Sequence, residues 1–266
     1  MFRKSNITYP DFSVIGTDLH SHLLPGLDDG AATLEDSLEM IAMMAKMGYR
    51  KLITTPHVVA AYYPNTRERI EGQMYALREE IDQETERLGD QETVRPRDQE
   101  TVRPRDQETE RLEVFASGEY HLDEGFLGLL EKGEVIPFGK ERYILIEFPW
   151  RAYPANIGEI LSEIDKSGFC PILAHPERVP YLAMKFKSYE TLKDQGLLFQ
   201  LNLCSLTGLY GWPIRMVAEK LITAGMVEVV GSDAHHQAQV RELAKVLKSR
   251  HFTMLVDSGR LLNPTL

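Results

Sequence analysis

The chain is poor in several features that would each assign it to a particular class of protein. It has only two cysteines, Cys170 and Cys204, which is too few for a disulfide scaffold. It has no apolar run near the roughly 20 residues of a membrane span, and its N-terminus lacks the apolar stretch of about 7 to 15 residues of a secretion signal. Basic charge is also in deficit, because 30 Lys and Arg stand against 40 Asp and Glu, a formal net charge of −10. We therefore expect a cytoplasmic protein with no membrane insertion that does not bind nucleic acid.

The composition is that of an ordinary globular protein. Apolar residues make up 43% of the chain and charged residues 26%, which excludes a disordered or fibrous protein. A length of 266 residues is less than two typical domains of roughly 150 residues. We expect a single domain over residues 1–266.

Short apolar segments rich in β-branched residues alternate with amphipathic ones. Seven of them are predicted strands: VIGTDL at 14–19, KLITT at 51–55, EVFAS at 113–117, YILIEF at 143–148, CPILA at 170–174, LLFQLNL at 197–203 and VEVVG at 227–231. Helices are predicted over 33–47, before Gly48, and over 156–167, before Gly168. Such alternation predicts an α/β fold with parallel strands, either a barrel or a doubly wound sheet.

An eight-residue unit interrupts this alternation between Asp82 and Glu113. It repeats four times, as DQETERLG, DQETVRPR, DQETVRPR and DQETERLE. Pro96 and Pro104 would each interrupt a helix, and the units offer almost no apolar side chains to bury. We expect a duplicated, low-complexity and mobile insertion at about 82–113, at the end of a helix that begins near Thr66; a docking arm for a partner is the alternative.

Histidine, aspartate or glutamate residues follow almost every predicted strand. The first strand ends in DLHSH at 18–22, where His20 and His22 point to the same face because side chains alternate along a strand. Six of the seven strands end in His, Asp or Glu, and the seventh carries Asn202. Since active sites of barrel enzymes lie at the carboxyl ends of the strands, we prefer a distorted barrel with seven strands.

These strand ends supply a set of metal-ligand side chains: His20, His22, Asp29, His57, Glu119, Glu147, His175, Asp233 and His235. A catalytic divalent metal commonly takes three or four protein ligands, so the set implies two to three metals. Nitrogen and oxygen ligands without thiolate suit Zn²⁺, Mn²⁺ or Fe²⁺. A water bridging two such ions would be deprotonated near neutral pH, which predicts hydrolysis, with a phosphate ester as a natural substrate.

The motifs around these residues carry a family resemblance. DLHSH with LPGLDDG, TPH at 55–57, Glu119, IEF at 146–148, AHPER at 174–178 and GSDAH at 231–235 together resemble the polymerase and histidinol phosphatase (PHP) superfamily. More narrowly, they are similar to its bacterial protein-tyrosine phosphatases of capsule and exopolysaccharide loci. The resemblance covers about 14–255 apart from the repeats. It implies a distorted (β/α)7 barrel with a trinuclear metal site that removes phosphate from phosphotyrosine on a partner tyrosine autokinase.

Two arginines are candidate phosphate ligands. Arg178 follows His175 by three residues, and its guanidinium offers two parallel donors to phosphate oxygens; a surface salt bridge with Glu177 is the alternative. The resemblance also implies an arginine shortly after the last Asp-x-His motif, and Arg241 is the nearest candidate. His121 and His236 are expected at the rim or surface, and His251 opens a strand-like segment.

Other functions remain open from the residues. A small-molecule phosphoesterase of the same superfamily would act on histidinol phosphate or a sugar phosphate and would need a deeper pocket. A metal-stabilised scaffold that binds a partner through its repeats would lack some of the ligands. A nuclease is disfavoured by the acidic charge.

Overall fold

Parallel strands form the centre of the molecule. The computed structural model describes residues 8–93 and 112–266. Across these two ranges the strands are β1 (Thr17–Asp18), β2 (Lys51–Thr54), β3 (His57–Val58), β4 (Glu113–Ala116), β5 (Glu119–His121), β6 (Tyr143–Glu147), β7 (Cys170–Ala174), β8 (Leu198–Asn202) and β9 (Val229–Gly231). Each of the seven predicted strand segments contains one of them.

The strands pair in two parallel sheets, with the orders β1-β2-β4 and β3-β5-β6-β7-β8-β9. Backbone hydrogen bonds continue past the strand ends, from Ser117 N to Thr54 O and from Thr55 N to Ser21 O. A parallel bridge joins Ser21, just after β1, to Ala234, just after β9. The fold is therefore mixed α/β with a curled parallel sheet, and the carboxyl ends of its strands face one side.

The short strands β3 and β5 are absent from the sequence prediction. Pro56 separates β3 from β2, and Gly118 separates β5 from β4, so the apolar pattern stops before each of them. A side chain at position 118 would come within 2.8 Å of the Tyr120 ring, which explains the glycine there. These breaks turn the chain so that His57 and Glu119 lie side by side, paired in register.

Helices cover the outside of the curled sheet. Within the described ranges they are α1 (Leu34–Lys46), α2 (Arg67–Thr93), α3 (Phe126–Glu131), α4 (Ile157–Lys166), α5 (Pro180–Ala183), α6 (Lys187–Asp194), α7 (Trp212–Thr223), α8 (Gln237–Leu243) and α9 (Arg250–Asp257). Both predicted helices are present, as α1 and α4. Thr33 caps α1 through a reciprocal pair of hydrogen bonds with Asp36.

Two helices differ from the sequence expectations. His251 lies in α9 and not in a strand, because the buried His251, Phe252 and Leu255 follow helical spacing on one face. Helix α2 continues through the first repeat unit to Thr93. Residues 94–111, which hold most of the predicted insertion, lie outside the described residues. In the part of the chain that the structure describes, no helix is long and apolar enough to cross a membrane.

Apolar side chains fill the interior of the curl. A separate buried cluster combines positions of neighbouring strands with Leu19, just after β1, and Phe138, which pairs with Tyr143. Its members are Leu19, Ile53, Phe138, Tyr143, Leu145, Ile172, Ala174 and Val229. Leu19 and Ala174 of this cluster directly precede His20 and His175, so apolar packing continues up to the polar residues that follow the strands.

Candidate metal centre

The predicted metal ligands gather at the carboxyl ends of the strands. Their nitrogen and oxygen atoms form overlapping groups, each within 4.8 Å, that could hold a metal ion: His22, His57 and His235; His20, His175 and Asp233; His20, His22 and Glu119; and His57, Glu119 and Glu147. Asp29 approaches from the exposed side. The structure thus brings together all nine residues that the sequence singled out.

His20 and His22 present their Nε2 atoms to each other at 3.2 Å. The second nitrogen of each ring is fixed by an oxygen acceptor: His20 Nδ1 lies 2.9 Å from Gln200 Oε1, and His22 Nδ1 lies 2.7 Å from Asp28 Oδ2. Each Nδ1 therefore donates to its acceptor and turns Nε2 toward the centre, where a metal ion would bind in place of the Nε2 proton. Two facing Nε2 atoms at this distance cannot both carry a proton.

Two buried carboxylates approach the same point. Asp233 Oδ1 lies 3.3 Å from His20 Nε2 and 3.4 Å from His22 Nε2, and Glu119 Oε2 lies 3.4 Å from His20 Nε2. Burial opposes protonation of His20, but the two carboxylates outweigh it and raise its pKa to about 9. Burial likewise opposes ionisation of Glu119, but His20 and His57 hold its pKa well below the usual range. The site therefore attracts positive charge strongly.

Several buried polar atoms in this group have no hydrogen-bond partner among residues 8–93 and 112–266. They include Glu119 Oε2, His57 Nδ1 and His175 Nδ1. His57 Nδ1 lies 2.8 Å from Glu119 Oε2, yet the pair lacks hydrogen-bonding geometry. A buried nitrogen or oxygen lone pair without a hydrogen bond is costly. Several such lone pairs that converge on one place fit divalent cations that take nitrogen and oxygen ligands.

The outer part of the group opens toward solvent. Asp29 is 59% exposed, and its Oδ1 lies 3.6 Å from His57 Nε2 and 3.7 Å from His235 Nε2. His235 Nδ1 donates to the backbone oxygen of Asp233 at 3.0 Å. Burial and repulsion from His22 lower the pKa of His235 to about 4, which favours the neutral ring that a ligand Nε2 requires.

The backbone is strained where two of these side chains leave the strands. His175 has φ 30° after β7 and Asp233 has φ 51° after β9, both in the left-handed region that disfavours residues other than glycine. Strain of this kind persists only where the surrounding structure enforces it, and it concentrates at functional sites.

Glu147 has two neighbours that orient its carboxylate. Its Oε2 lies 3.0 Å from His121 Nδ1, and its Oε1 accepts from Trp150 Nε1 at 3.2 Å. His121 was expected at the rim, and it lies there, half-buried, among the residues that line the cavity above the strand ends. That cavity has a volume of about 660 Å³.

Arg178 and Arg241 occupy different places. Arg178 lines the cavity at the end of the 3-10 turn Pro176–Arg178, and its Nη1 donates to Asp233 Oδ2. Arg241 lies exposed on α8, donates to Gln237 at 3.0 Å, and is not among the cavity-lining residues. The structure brings Arg178 to the ligand group and leaves Arg241 outside it.

Sequence reasoning missed the residues that orient the ligands. Asp28 fixes His22 and also accepts the backbone N–H of His57 at 2.9 Å. Gln200 fixes His20 from the interior of β8. Gln200 could have been noticed as a polar residue within the apolar segment LLFQLNL. Asp28 was not predicted because the adjacent Asp29 was chosen as the metal ligand.

Comparison with known proteins identifies the class to which this fold and this ligand group belong. The family model "Capsular polysaccharide synthesis, CpsB/CapC" matches residues 16–92 and 89–249. The chain belongs to the CpsB/CapC family.

Individual relatives are similar over most of their length. The chain is 29% identical over 253 residues to the tyrosine-protein phosphatase YwqE of Bacillus subtilis (strain 168), which covers 92% of this chain and 90% of that protein. It is 27% identical over 224 residues to the tyrosine-protein phosphatase CpsB of Streptococcus pneumoniae, with 82% of each chain covered. A solved structure from a study of YwqE and CpsB, described as unique metal-dependent tyrosine phosphatases, matches with a TM-score of 0.73 at 25% identity, covering 94% of this chain and 95% of that chain.

Proposed function

We propose that this chain is a metal-dependent protein-tyrosine phosphatase that hydrolyses phosphotyrosine. The observation that carries the proposal is the convergence of two imidazole Nε2 atoms and two buried carboxylates, those of Glu119 and Asp233. Asp233 also lines the cavity above the strand ends, together with Arg178. Family membership and relatives that are themselves tyrosine phosphatases support the substrate class.

The ligand set would hold two to three divalent transition metals, Mn²⁺, Fe²⁺ or Zn²⁺. Its members are His20, His22, Asp29, His57, Glu119, Glu147, His175, Asp233 and His235. Metals held by these residues would supply positive charge for the phosphate oxygens and a water molecule activated for attack on phosphorus. The overlapping groups of three ligands support more than one ion.

The residues of the chain itself bind and orient the substrate. Arg178 lines the cavity, its Nε has no hydrogen-bond partner within the described part of the chain, and its guanidinium would donate to oxygens of the substrate phosphate. Arg241 would become a second phosphate ligand only if its side chain left Gln237.

We also propose that the sheet is a distorted (β/α)7 barrel of the PHP type in a single domain over residues 1–266, with the repeat insertion at about 82–113. Two backbone hydrogen bonds join the ends of β1 and β9, from Asp233 N to His20 O at 2.7 Å and from His22 N to Ala234 O at 3.0 Å. Together with the bridge from Ser21 to Ala234 they support a closed ring of seven strands, with β2-β3 and β4-β5 each acting as one interrupted strand. The protein substrate is proposed to be a bacterial tyrosine autokinase of capsule or exopolysaccharide synthesis.

Two histidine variants test the metal centre. We expect His20→Asn to lose bound metal and at least a hundredfold in phosphotyrosine-peptide turnover, since ligand loss disrupts the shared metal group. His236→Asn is the matched control, because His236 only caps α8, and asparagine is also a good cap. Equal metal content and turnover in the two variants would contradict the proposal.

A further inference from the structure

The guanidinium of Arg178 lies close to two aromatic rings. Its central carbon is 4.4 Å from the Tyr210 ring centre and 5.2 Å from the Trp150 ring centre. Both distances are within the range in which a guanidinium is attracted to an aromatic ring. Both rings therefore restrict the positions that the guanidinium can take.

Hydrogen bonds fix one edge of the same group. Arg178 Nη1 donates to Asp233 Oδ2, which also accepts from Asn202 Nδ2 at 2.7 Å. Asn202 Nδ2 lies within 3.2 Å of the Tyr210 hydroxyl as well, so Tyr210 is tied to the same carboxylate. Arg178 Nε is buried and has no hydrogen-bond partner among the residues that the structure describes, so this donor is not committed to the surrounding protein.

Trp150 connects this arginine to the metal ligands. Its Nε1 donates to Glu147 Oε1, while its ring lies near Arg178 and 6.4 Å from the ring of His175. The Trp150 side chain is 46% exposed and lines the cavity, so its place is not explained by burial in the core. The indole therefore has two contacts that mutation can separate: its ring lies near the Arg178 guanidinium, and its N–H donates to Glu147.

We propose that Trp150 and Tyr210 are positioning residues that hold the Arg178 guanidinium in one plane, so that it meets the substrate phosphate with preorganised N–H donors. The inference rests on the proposed phosphatase function and assigns how that site recognises phosphate. Without the rings, Arg178 would sample more rotamers and would lose part of this entropy each time phosphate binds.

Phosphate binding by the metal-loaded protein tests this directly. Calorimetry with inorganic phosphate should give a dissociation constant about threefold to thirtyfold higher for Trp150→Leu, since cation–π contacts range from exposed to partly desolvated strengths. Trp150→Phe keeps a ring and loses the N–H, so it should retain most of the affinity. Tyr210→Leu should behave like Trp150→Leu.

A double-mutant cycle separates positioning from a general structural effect. In an Arg178→Gln background, Trp150→Leu should cause no further loss of phosphate affinity, because its partner is gone. Trp212→Leu is the matched control: Trp212 is 64% exposed, stacks with Arg215 at 5.5 Å, and is not among the cavity-lining residues. It should bind phosphate like the unmodified protein.

Several outcomes would overturn the inference. These are unchanged phosphate affinity in Trp150→Leu with its metal content intact, an equal loss in the Arg178→Gln background, or equal loss of metal in Trp150→Leu and Trp150→Phe, which would place the effect at Glu147. If the unmodified protein binds phosphate but does not hydrolyse phosphotyrosine peptides, the proposed function is wrong. The double-mutant cycle would still measure whether Trp150 acts on phosphate binding through Arg178.

Discussion

At the scale of single residues, the hydrogen-bond acceptor of one ring nitrogen determines which nitrogen of a histidine can bind a metal. Gln200 and Asp28 accept from the Nδ1 atoms of His20 and His22, and so direct the Nε2 lone pairs into the centre. Carboxylate acceptors also make the imidazole a stronger ligand. Metal affinity should therefore depend on residues that never touch the metal.

Asp28→Asn tests this dependence. An amide oxygen can still accept from His22 but carries no charge, so we expect metal affinity to fall about tenfold to a hundredfold. Metal titration of the chelated protein measures it. Asp123→Asn is the matched control, since Asp123 also accepts two backbone N–H groups, from Ala60 and Gly125. A smaller effect at Asp28 than at Asp123 would refute the orienting role.

Arg178→Lys tests the phosphate ligand. The ammonium keeps the charge but loses the paired donors, so kcat/KM for a phosphotyrosine peptide should fall about tenfold to a thousandfold, equivalent to about 1.4 to 4 kcal/mol of transition-state stabilisation. Metal content should be unchanged, and inorganic phosphate should inhibit less. Unaltered kinetics with metals intact would move the phosphate ligand to Arg241 or elsewhere.

At the scale of elements, capping fixes where the helix after the first ligand loop begins. Thr33 Oγ1 accepts from Asp36 N, and the Asp36 carboxylate accepts from Thr33 N, each at 3.2 Å. Helix α1 starts only a few residues after Asp29 and packs against α8, which follows His235. The cap thus helps to place both chain segments that border the exposed side of the centre.

Thr33→Ala should lower the free energy of unfolding by about 1 kcal/mol, the usual cost of losing a side-chain cap. Urea denaturation measures the change. Thr191→Ala is the control, because Thr191 is exposed in α6 and its hydroxyl donates only to its own helix, at Lys187 O. A loss at position 33 no larger than at position 191 would show that the cap contributes nothing.

The repeat units give a second prediction for an element. Deleting 90–105 removes two whole units, sixteen residues, and joins Gly89 to Asp106, so the order of the remaining units is kept. We expect stability and peptide-phosphatase rate to stay nearly unchanged, because the units offer no apolar face to bury. A drop of several degrees in Tm, or of tenfold in rate, would show that they pack or contribute to the site.

Sequence patterns predicted the elements where the pattern was long enough. The strands β6, β7 and β8 and the helices α1 and α4 lie where apolar periodicity and end signals placed them. The two-residue strand β3 and three-residue strand β5 were missed, because Pro56 and Gly118 end the apolar runs before them. The strand expected at His251 was wrong, since an eight-residue segment with buried positions on one face formed α9.

At the scale of the whole molecule, the centre assembles side chains from residue 20 to residue 235. Its members could be predicted because the carboxyl ends of parallel strands meet on one side, so each His, Asp or Glu at a strand end pointed to the same place. The roles of Gln200, Trp150 and Tyr210 could not, because they depend on ring orientation and on contacts between distant segments. The sequence equally could not show that Arg241 would donate to Gln237.

Substrate selectivity also belongs to this scale. The cavity of about 660 Å³ is lined by the exposed rings of Tyr62 and Trp150, which suits the aromatic side chain of a protein substrate. We expect kcat/KM for a phosphotyrosine peptide to exceed that for histidinol phosphate by at least a hundredfold. A preference for histidinol phosphate would establish a small-molecule phosphoesterase in its place.

The central claim is that phosphotyrosine hydrolysis requires metals held by the strand-end cluster. The most direct measurement is phosphate release from a phosphotyrosine peptide by chelated protein, followed during stepwise return of Mn²⁺ with bound metal counted at each step. We predict negligible activity without metal, and activity that rises with occupancy and saturates at two to three ions per chain. Full activity in protein that contains no metal would contradict the account.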